Sequence, residues 1–349
     1  MSVASFITLP NRTIMIGAEA DLANLPDGLP FGTVAVLAGE SKRWQLDFDG
    51  SWEEMASGGG GGGGGANESA IIEGTISGFY SNSTATKIAP YMFSANTGLT
   101  GVSFANVSAI GTYAFSGATD LEQAYFPSAQ TISTGAFSKC LKLSDISFPK
   151  ASSIEGYAFA WCPITAVDMP SVTSIYTSAF YSCTAISTVS LPVCESIQSY
   201  AFAKCASLAT LYAPMCTHIG SCAFSGCSSL TGVSLPNASY IYNSAFMNCQ
   251  TLSTVLLEKK VSISPAVFSG CYNLISLYLL WSGDALPTLN NTNAFSSTPI
   301  GGYSVSAGAY GSIFVPETKW SEYQSTNWWN AFSARFVSMT ESQIEELLG

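Results

Sequence analysis

From Ile88 to Leu279 the apolar residues of this chain recur in a fixed frame, longer than the period of any single helix or strand. A phenylalanine stands at Phe93, Phe115, Phe137, Phe159, Phe180, Phe202, Phe224, Phe246 and Phe268. Every step is 22 residues except the 21 from Phe159 to Phe180. Five residues before each Phe comes an isoleucine, from Ile88 to Ile263. Three residues after it comes Cys140, Cys162, Cys183, Cys205, Cys227, Cys249 or Cys271, in seven consecutive copies. Six residues after it stands Leu99, Leu121, Leu143, Ile186, Leu208, Leu230, Leu252 or Leu274. The short step is explained by Cys162-Pro163-Ile164, where one residue is missing ahead of the apolar position.

A period of 20 to 29 residues with several apolar positions per period is the signature of a leucine-rich-repeat solenoid. One unit cannot bury its Ile, Phe, Cys and Leu alone, so each coil must stack on its neighbours. Each unit closes on strict alternation, as in Val189-Ser190-Leu191-Pro192, which predicts a short strand with one face inward. Proline at Pro127, Pro149, Pro170, Pro192, Pro214 and Pro236 removes an amide donor and stops the strand. The expected architecture is a mixed β/α solenoid, a right-handed stack of about nine 22-residue coils. At a strand spacing of roughly 4.8 Å the stack would be a rod of about 40 Å.

The units resemble the BspA-like subfamily of leucine-rich repeats, whose core reads I-G-x-x-A-F-x-x-C-x-x-L. Ile219-Gly220-Ser221-Cys222-Ala223-Phe224-Ser225-Gly226-Cys227 follows it nearly letter for letter. The resemblance covers about 200 residues, and it implies extracellular or surface binding rather than chemistry.

Outside the repeat the pattern changes. Residues 1–56 read as a small all-β module, with short strands at 6–9, 13–16, 33–37 and 43–48 and a hairpin signal at Asp49-Gly50. The stretch from Asp21 through Leu25-Pro26-Asp27-Gly28 to Asp49-Gly50-Ser51-Trp52 resembles the N-terminal modules of phage virion proteins, including head fibres and tail-associated proteins. That resemblance implies docking on capsid or tail proteins through residues 1–56, and a homo-oligomer, most simply a trimer. Residues 57–66 carry eight consecutive glycines, which read as a flexible linker or as a polyglycine helix packed against copies of itself. The solenoid is assigned to 67–283, with Ile71 to Ser83 as a degenerate capping coil. Residues 284–349 form a C-terminal cap, in which Trp320, Tyr323, Trp328, Trp329, Phe332 and Phe336 are expected to pack over the last coil. The segment Ile313 to Phe336 resembles the caps that close many such solenoids in gut bacteria and their phages. Thr340-Glu341-Ser342-Gln343 fits a capping box on a short closing helix.

Of the 349 residues 47% are hydrophobic and only 10% charged, so Ser, Thr, Asn and Gly must supply most of the wetted surface. The net charge of −11 and the absence of any basic run argue against nucleic acid as a partner. No apolar run approaches 18 residues, so no membrane insertion is expected. The start, Met1 to Phe6, lacks the basic and apolar regions of a secretory leader, which points to folding in a cytoplasm. Seven of the ten cysteines share one apolar repeat position and read as buried thiols acting as small hydrophobes, with Cys194, Cys216 and Cys222 off that ladder.

The sequence offers little chemistry. His218 is the only histidine and sits at an ordinary repeat position. Asp145, Glu155, Asp168 and Glu195 fall at different repeat positions and form no recurring pair. The expectation is therefore no catalytic, cofactor-binding or metal-ligating residue. A binding face is expected on the strands, where Gln123, Tyr125, Asp145, Ser147, Thr188, Ser190, Thr210, Tyr212, Thr254, Ser276 and Tyr278 flank the inward positions. That is a nearly uncharged plane of hydroxyls and tyrosines, suited to a host-surface protein or a glycan. Three functions are compatible with this pattern. They are a bacteriophage virion protein displaying the solenoid for attachment, a bacterial surface adhesin, and a glycan-active enzyme domain.

Overall fold

The structure, a computed structural model, describes residues 76–302 and 308–348 and, before residue 76, the backbone of five short strands. Those strands, Ile7–Leu9, Thr13–Ile16, Val34–Leu37, Arg43–Leu46 and Trp52–Met55, follow one another in a single sheet. Its pairs are antiparallel except the second with the third. The Asp49-Gly50 turn, the glycine-rich segment 57–66 and residues 71–75 lie outside the described residues.

Each coil of the solenoid has three sides, and hydrogen bonds run from coil to coil along each of them, with two interruptions on the long-strand face. On the long-strand face lie segments such as Thr188–Ser190, where Thr188 pairs with Thr210 and Val189 with Leu211. On the short-strand face lie two-residue segments such as Ser196–Ile197, and ten of these form one parallel sheet from Lys87–Ile88 to Thr288–Leu289. On the third side the chain turns through each Ala-Phe pair, and there the Phe202 amide donates to the Ala223 carbonyl at 2.8 Å, as Phe137 does to Ala158 at 2.7 Å. Buried backbone groups are thereby satisfied without helix. The expected β/α mixture is corrected accordingly. Among the described residues helix is confined to the C-terminal cap, at Trp320–Ser325 and Glu341–Leu348 with short 3-10 turns. Twelve strands succeed one another on the long-strand face, from Gly78–Asn82 to Phe336–Met339, so the stack has about twelve turns rather than nine. The additional turns come from coils whose side chains depart from the repeat frame while their backbones continue the ladder.

The repeated phenylalanines all point inward and stack ring on ring. Phe93, Phe115 and Phe137 lie 4.8 and 4.9 Å apart with planes within 3°. The column runs on through Phe202, 5.0 Å from Phe180 and 5.4 Å from Phe224, and ends on Phe295, 5.7 Å from Phe268. A second, shorter column of Phe104, Phe126 and Phe148 meets the first edge-on. Offset stacking and edge contacts are the arrangements that ring quadrupoles favour.

The cysteine ladder does more than fill space. Each thiol donates to the carbonyl of a phenylalanine in the preceding coil: Cys140 to Phe115, Cys162 to Phe137 and Cys183 to Phe159 at 3.0 Å, and Cys205 to Phe180 at 3.2 Å. Cys227, Cys249 and Cys271 repeat the contact at 3.1 to 3.3 Å. All ten cysteines are free thiols. Burial pushes the thiols of Cys162, Cys183, Cys205, Cys227 and Cys249 well above their ordinary value. Cys194 and Cys216 form a column of their own, at the position filled by Val107, Ala129, Ala151, Val172 and Ala238 in other coils.

Tyr323 and Trp329 are fully buried, and Phe332 packs edge-on to Phe295 at 5.3 Å, which closes the open end of the ring column. The Trp329 indole donates to the Pro287 carbonyl at 2.8 Å. Thr340 and Gln343 form the expected reciprocal capping box. The helix that it starts buries no residue, so the covering is done by Tyr323, Trp329, Phe332 and Phe336 ahead of it, whereas Trp320 and Trp328, expected to pack with them, are exposed.

Candidate functional site

The residues expected to form a binding face do project from the long-strand side, in register. Gln123 pairs with Asp145 and Tyr125 with Ser147; Thr188 pairs with Thr210 and Ser190 with Tyr212; Thr254 pairs with Ser276. Between them, Ala124, Val189, Leu211, Val255 and Leu277 point into the core. Period-two alternation places the two sets on opposite faces. Asp145, Ser147, Thr188, Thr210 and Tyr212 are exposed, whereas Gln123, Tyr125, Ser190, Thr254, Ser276 and Tyr278 are half-buried.

The face is not one continuous plane. Hydrogen bonding divides its strands into groups of four, three and five. The first break, between Asp145–Ser147 and Ala166–Asp168, coincides with the 21-residue coil, and a shallow cleft of about 150 Å³ opens there between Asp145 and Asp168. The second lies between Thr210–Tyr212 and Gly232–Ser234. The tyrosines also differ among themselves. Tyr125 donates its phenol to the Asp145 carboxylate, and that hydrogen bond raises its pKa. Tyr278 stacks on Phe314 at 4.5 Å and lines a cleft of about 370 Å³ beside the C-terminal helix, with Val337, Met339, Gln343 and Leu347. Tyr212, 55% exposed, is the open one.

Two further surfaces escape a strand-based reading. On the short-strand face the His218 ring stacks on Tyr240 at 5.0 Å, and Tyr242 follows at 6.1 Å. On the turn face Tyr157 and Trp161 lie nearly parallel, 6.4 Å apart, and Trp161 meets Tyr181 edge-on at 5.6 Å. The signal for the second cluster lies in the variable positions beside each Phe, two before, one after and two after, which carry no apolar periodicity.

The BspA type leucine-rich repeat region matches this chain in six copies, in overlapping stretches that run from residue 72 to residue 303. The chain belongs to the BspA-type leucine-rich-repeat family. Solved structures similar to this BspA-type protein include a leucine-rich cell surface protein from Faecalibacterium prausnitzii, 19% identical over 84% of this chain and 96% of that one, with a TM-score of 0.42. Others are a leucine-rich repeat protein from Bacteroides ovatus (18%, 73% and 88%, TM-score 0.34) and the leucine-rich repeat protein of T. pallidum (22%, 78% and 87%, TM-score 0.31). Comparison with curated proteins gives no significant match.

Proposed function

We propose that this BspA-type protein is a non-catalytic attachment protein whose solenoid presents the long-strand face to a host-surface protein or glycan. The observation that supports it is the register of that face. Thr188 and Ser190, Thr210 and Tyr212, and Ser276 and Tyr278 offer a hydroxyl or a phenol at both outward positions of their coils, and Tyr125, Ser147, Ser234 and Thr254 at one, held by a core in which every repeat Phe is buried. Such a surface offers many weak polar and aromatic contacts in a fixed array, which suits an extended ligand. The direct test is binding of the full chain to host cells or immobilised surface extracts, with Tyr212→Ala and Thr188→Ala/Thr210→Ala compared with wild type. Loss of binding in these variants is expected, and unchanged binding removes the long-strand face from the proposal.

The carrier we propose is a bacteriophage particle, with residues 1–56 docking on capsid or tail proteins and the assembly a trimer. What supports it is the likeness of residues 21–52 to virion modules. The alternative carrier is a bacterial cell surface, which the family membership supports. Mass spectrometry of purified particles against a cell-wall fraction separates the two, and light scattering of the full chain tests the trimer.

A further inference from the structure

The turn face carries an unusual charge pattern. The chain is acidic overall, yet the segments that build this face around the cluster, 134–140, 156–162, 177–183 and 199–205, contain no Asp or Glu. Their only charges are Lys139 and Lys204, both exposed; Glu155, one residue outside the second segment, accepts from the Thr134 amide at 2.9 Å and the Thr134 hydroxyl at 3.2 Å through one carboxylate oxygen. Each ammonium sits over an aromatic ring: Lys139 is 5.6 Å from the Trp161 centroid and Lys204 is 5.2 Å from that of Tyr181. Between the two cations, Tyr157 and Trp161 form a platform inclined by only 15°, with 43% and 39% of their surfaces open.

These side chains are held at a backbone cost. Lys139, Tyr157, Trp161, Tyr200 and Lys204 all have φ between 58° and 63°. That left-handed region costs a residue with a Cβ about 1–2 kcal/mol. The position of Lys139, Trp161 and Lys204 is glycine in other coils, at Gly117, Gly226 and Gly270. The fold alone therefore does not require large side chains here.

We propose that this platform binds an anionic glycan, whose sugar rings lie on Tyr157 and Trp161 while its carboxylate or sulfate groups meet Lys139 and Lys204. The C–H faces of pyranose rings are apolar and flat and match exposed aromatic faces, whereas a peptide would need backbone hydrogen-bond partners. Those are lacking because the turn-face amides of Tyr157, Phe159 and Trp161 are already bonded to the next coil. Lys139, Trp161, Tyr181 and Lys204 come from four successive coils, so the two cations are three coil steps of roughly 4.8 Å apart. That span accommodates a short oligosaccharide rather than a monosaccharide. The surface is distinct from the long-strand face and stands whether or not that face binds anything.

The test uses the full chain and three probes of equal length: a hyaluronan hexasaccharide carrying carboxylates, a heparin hexasaccharide carrying sulfates, and neutral cellohexaose. Binding is followed by calorimetry or tryptophan fluorescence at low and high salt. Either acidic probe should bind more tightly than cellohexaose and weaken with salt. Trp161→Ala should reduce affinity about tenfold. Lys139→Gln/Lys204→Gln should abolish the preference over the neutral probe while leaving the melting temperature unchanged, because both side chains are exposed. Preference for hyaluronan or for heparin decides which acid group is read. The proposal is overturned if neither acidic probe binds, if cellohexaose binds equally well, if Trp161→Ala binds like wild type, or if poly-glutamate displaces the sugar at equal charge concentration.

Discussion

Replacing Phe202 with alanine probes the ring column where it is most regular. The side chain is fully buried, with parallel rings 5.0 Å on one side and 5.4 Å on the other. Burial of a side chain of this size contributes about 1.5–3 kcal/mol, and each aromatic stack about 0.5–1.5 kcal/mol more. The gap cannot close. The backbones above and below are held at strand spacing by Phe180 N–H to the Ala201 carbonyl and Phe202 N–H to the Ala223 carbonyl, both 2.8 Å. A cavity that cannot collapse puts the substitution toward the top of the usual 3–5 kcal/mol for Phe→Ala, about 4 kcal/mol. Phe202→Leu, which keeps most of the volume, should cost about 1–1.5 kcal/mol. Because each coil touches only its neighbours, the loss should be concentrated locally. Native-state hydrogen exchange should show amides of the coils from Phe180 to Phe224 losing up to about a thousandfold in protection, with the coils around Phe115 changed far less. Urea unfolding of the full chain gives the global figure. A cost below about 1.5 kcal/mol, or protection lost evenly along the stack, would refute the view that the column is a rigid, locally coupled spine.

Three further outcomes follow from the packing. An added Cβ at Gly220 would lie 2.5 Å from the backbone of Gln198 and Ser199, whereas at Gly226 the nearest atom is 3.7 Å away. Gly220→Ala should therefore cost about 2–3 kcal/mol and Gly226→Ala, where only the left-handed φ of 78° is at issue, about 1 kcal/mol; thermal melts that rank them in reverse would contradict the coil spacing. The buried thiols should make the protein sensitive to alkali. Cys194 is pushed up to about 11 and Cys216 to about 12 from 9.0, chiefly by burial, so both stay protonated in the fold while the unfolded chain ionises above pH 9. Stability is then unaffected below pH 9 and falls between pH 9 and 12 by up to about 1.4 kcal/mol per pH unit per thiol; a flat melting temperature from pH 8 to 10.5 would count against it. Finally, the Tyr323 hydroxyl is buried with no partner among the described residues, so Tyr323→Phe should leave stability unchanged or raise it by about 1 kcal/mol, and a clear loss in a melt would show that the hydroxyl is bonded.

What the sequence determined by itself was whatever repeats. Position by position, the frame of Ile, Phe, Cys and Leu named the core, and period-two alternation named the outward residues from Gln123 to Tyr278, because side chains at one position of every coil experience the same surroundings. The cap aromatics Tyr323, Trp329, Phe332 and Phe336 and the Thr340–Gln343 box were legible for the related reason that stack ends and helix starts have local requirements, whereas the exposure of Trp320 and Trp328 was not. Only the tertiary structure decided the number of turns, since strands such as Ser312–Pro316 and Phe336–Met339 join through backbone hydrogen bonds that no side-chain frame records. It alone decided that the cysteine thiols bond phenylalanine carbonyls 24 or 25 residues earlier, that the long-strand face breaks at the 21-residue coil, and that Lys139, Trp161, Tyr181 and Lys204 meet. Stacking makes neighbours of residues that lie a full coil apart in the chain, and variable positions carry no periodicity from which that meeting can be read.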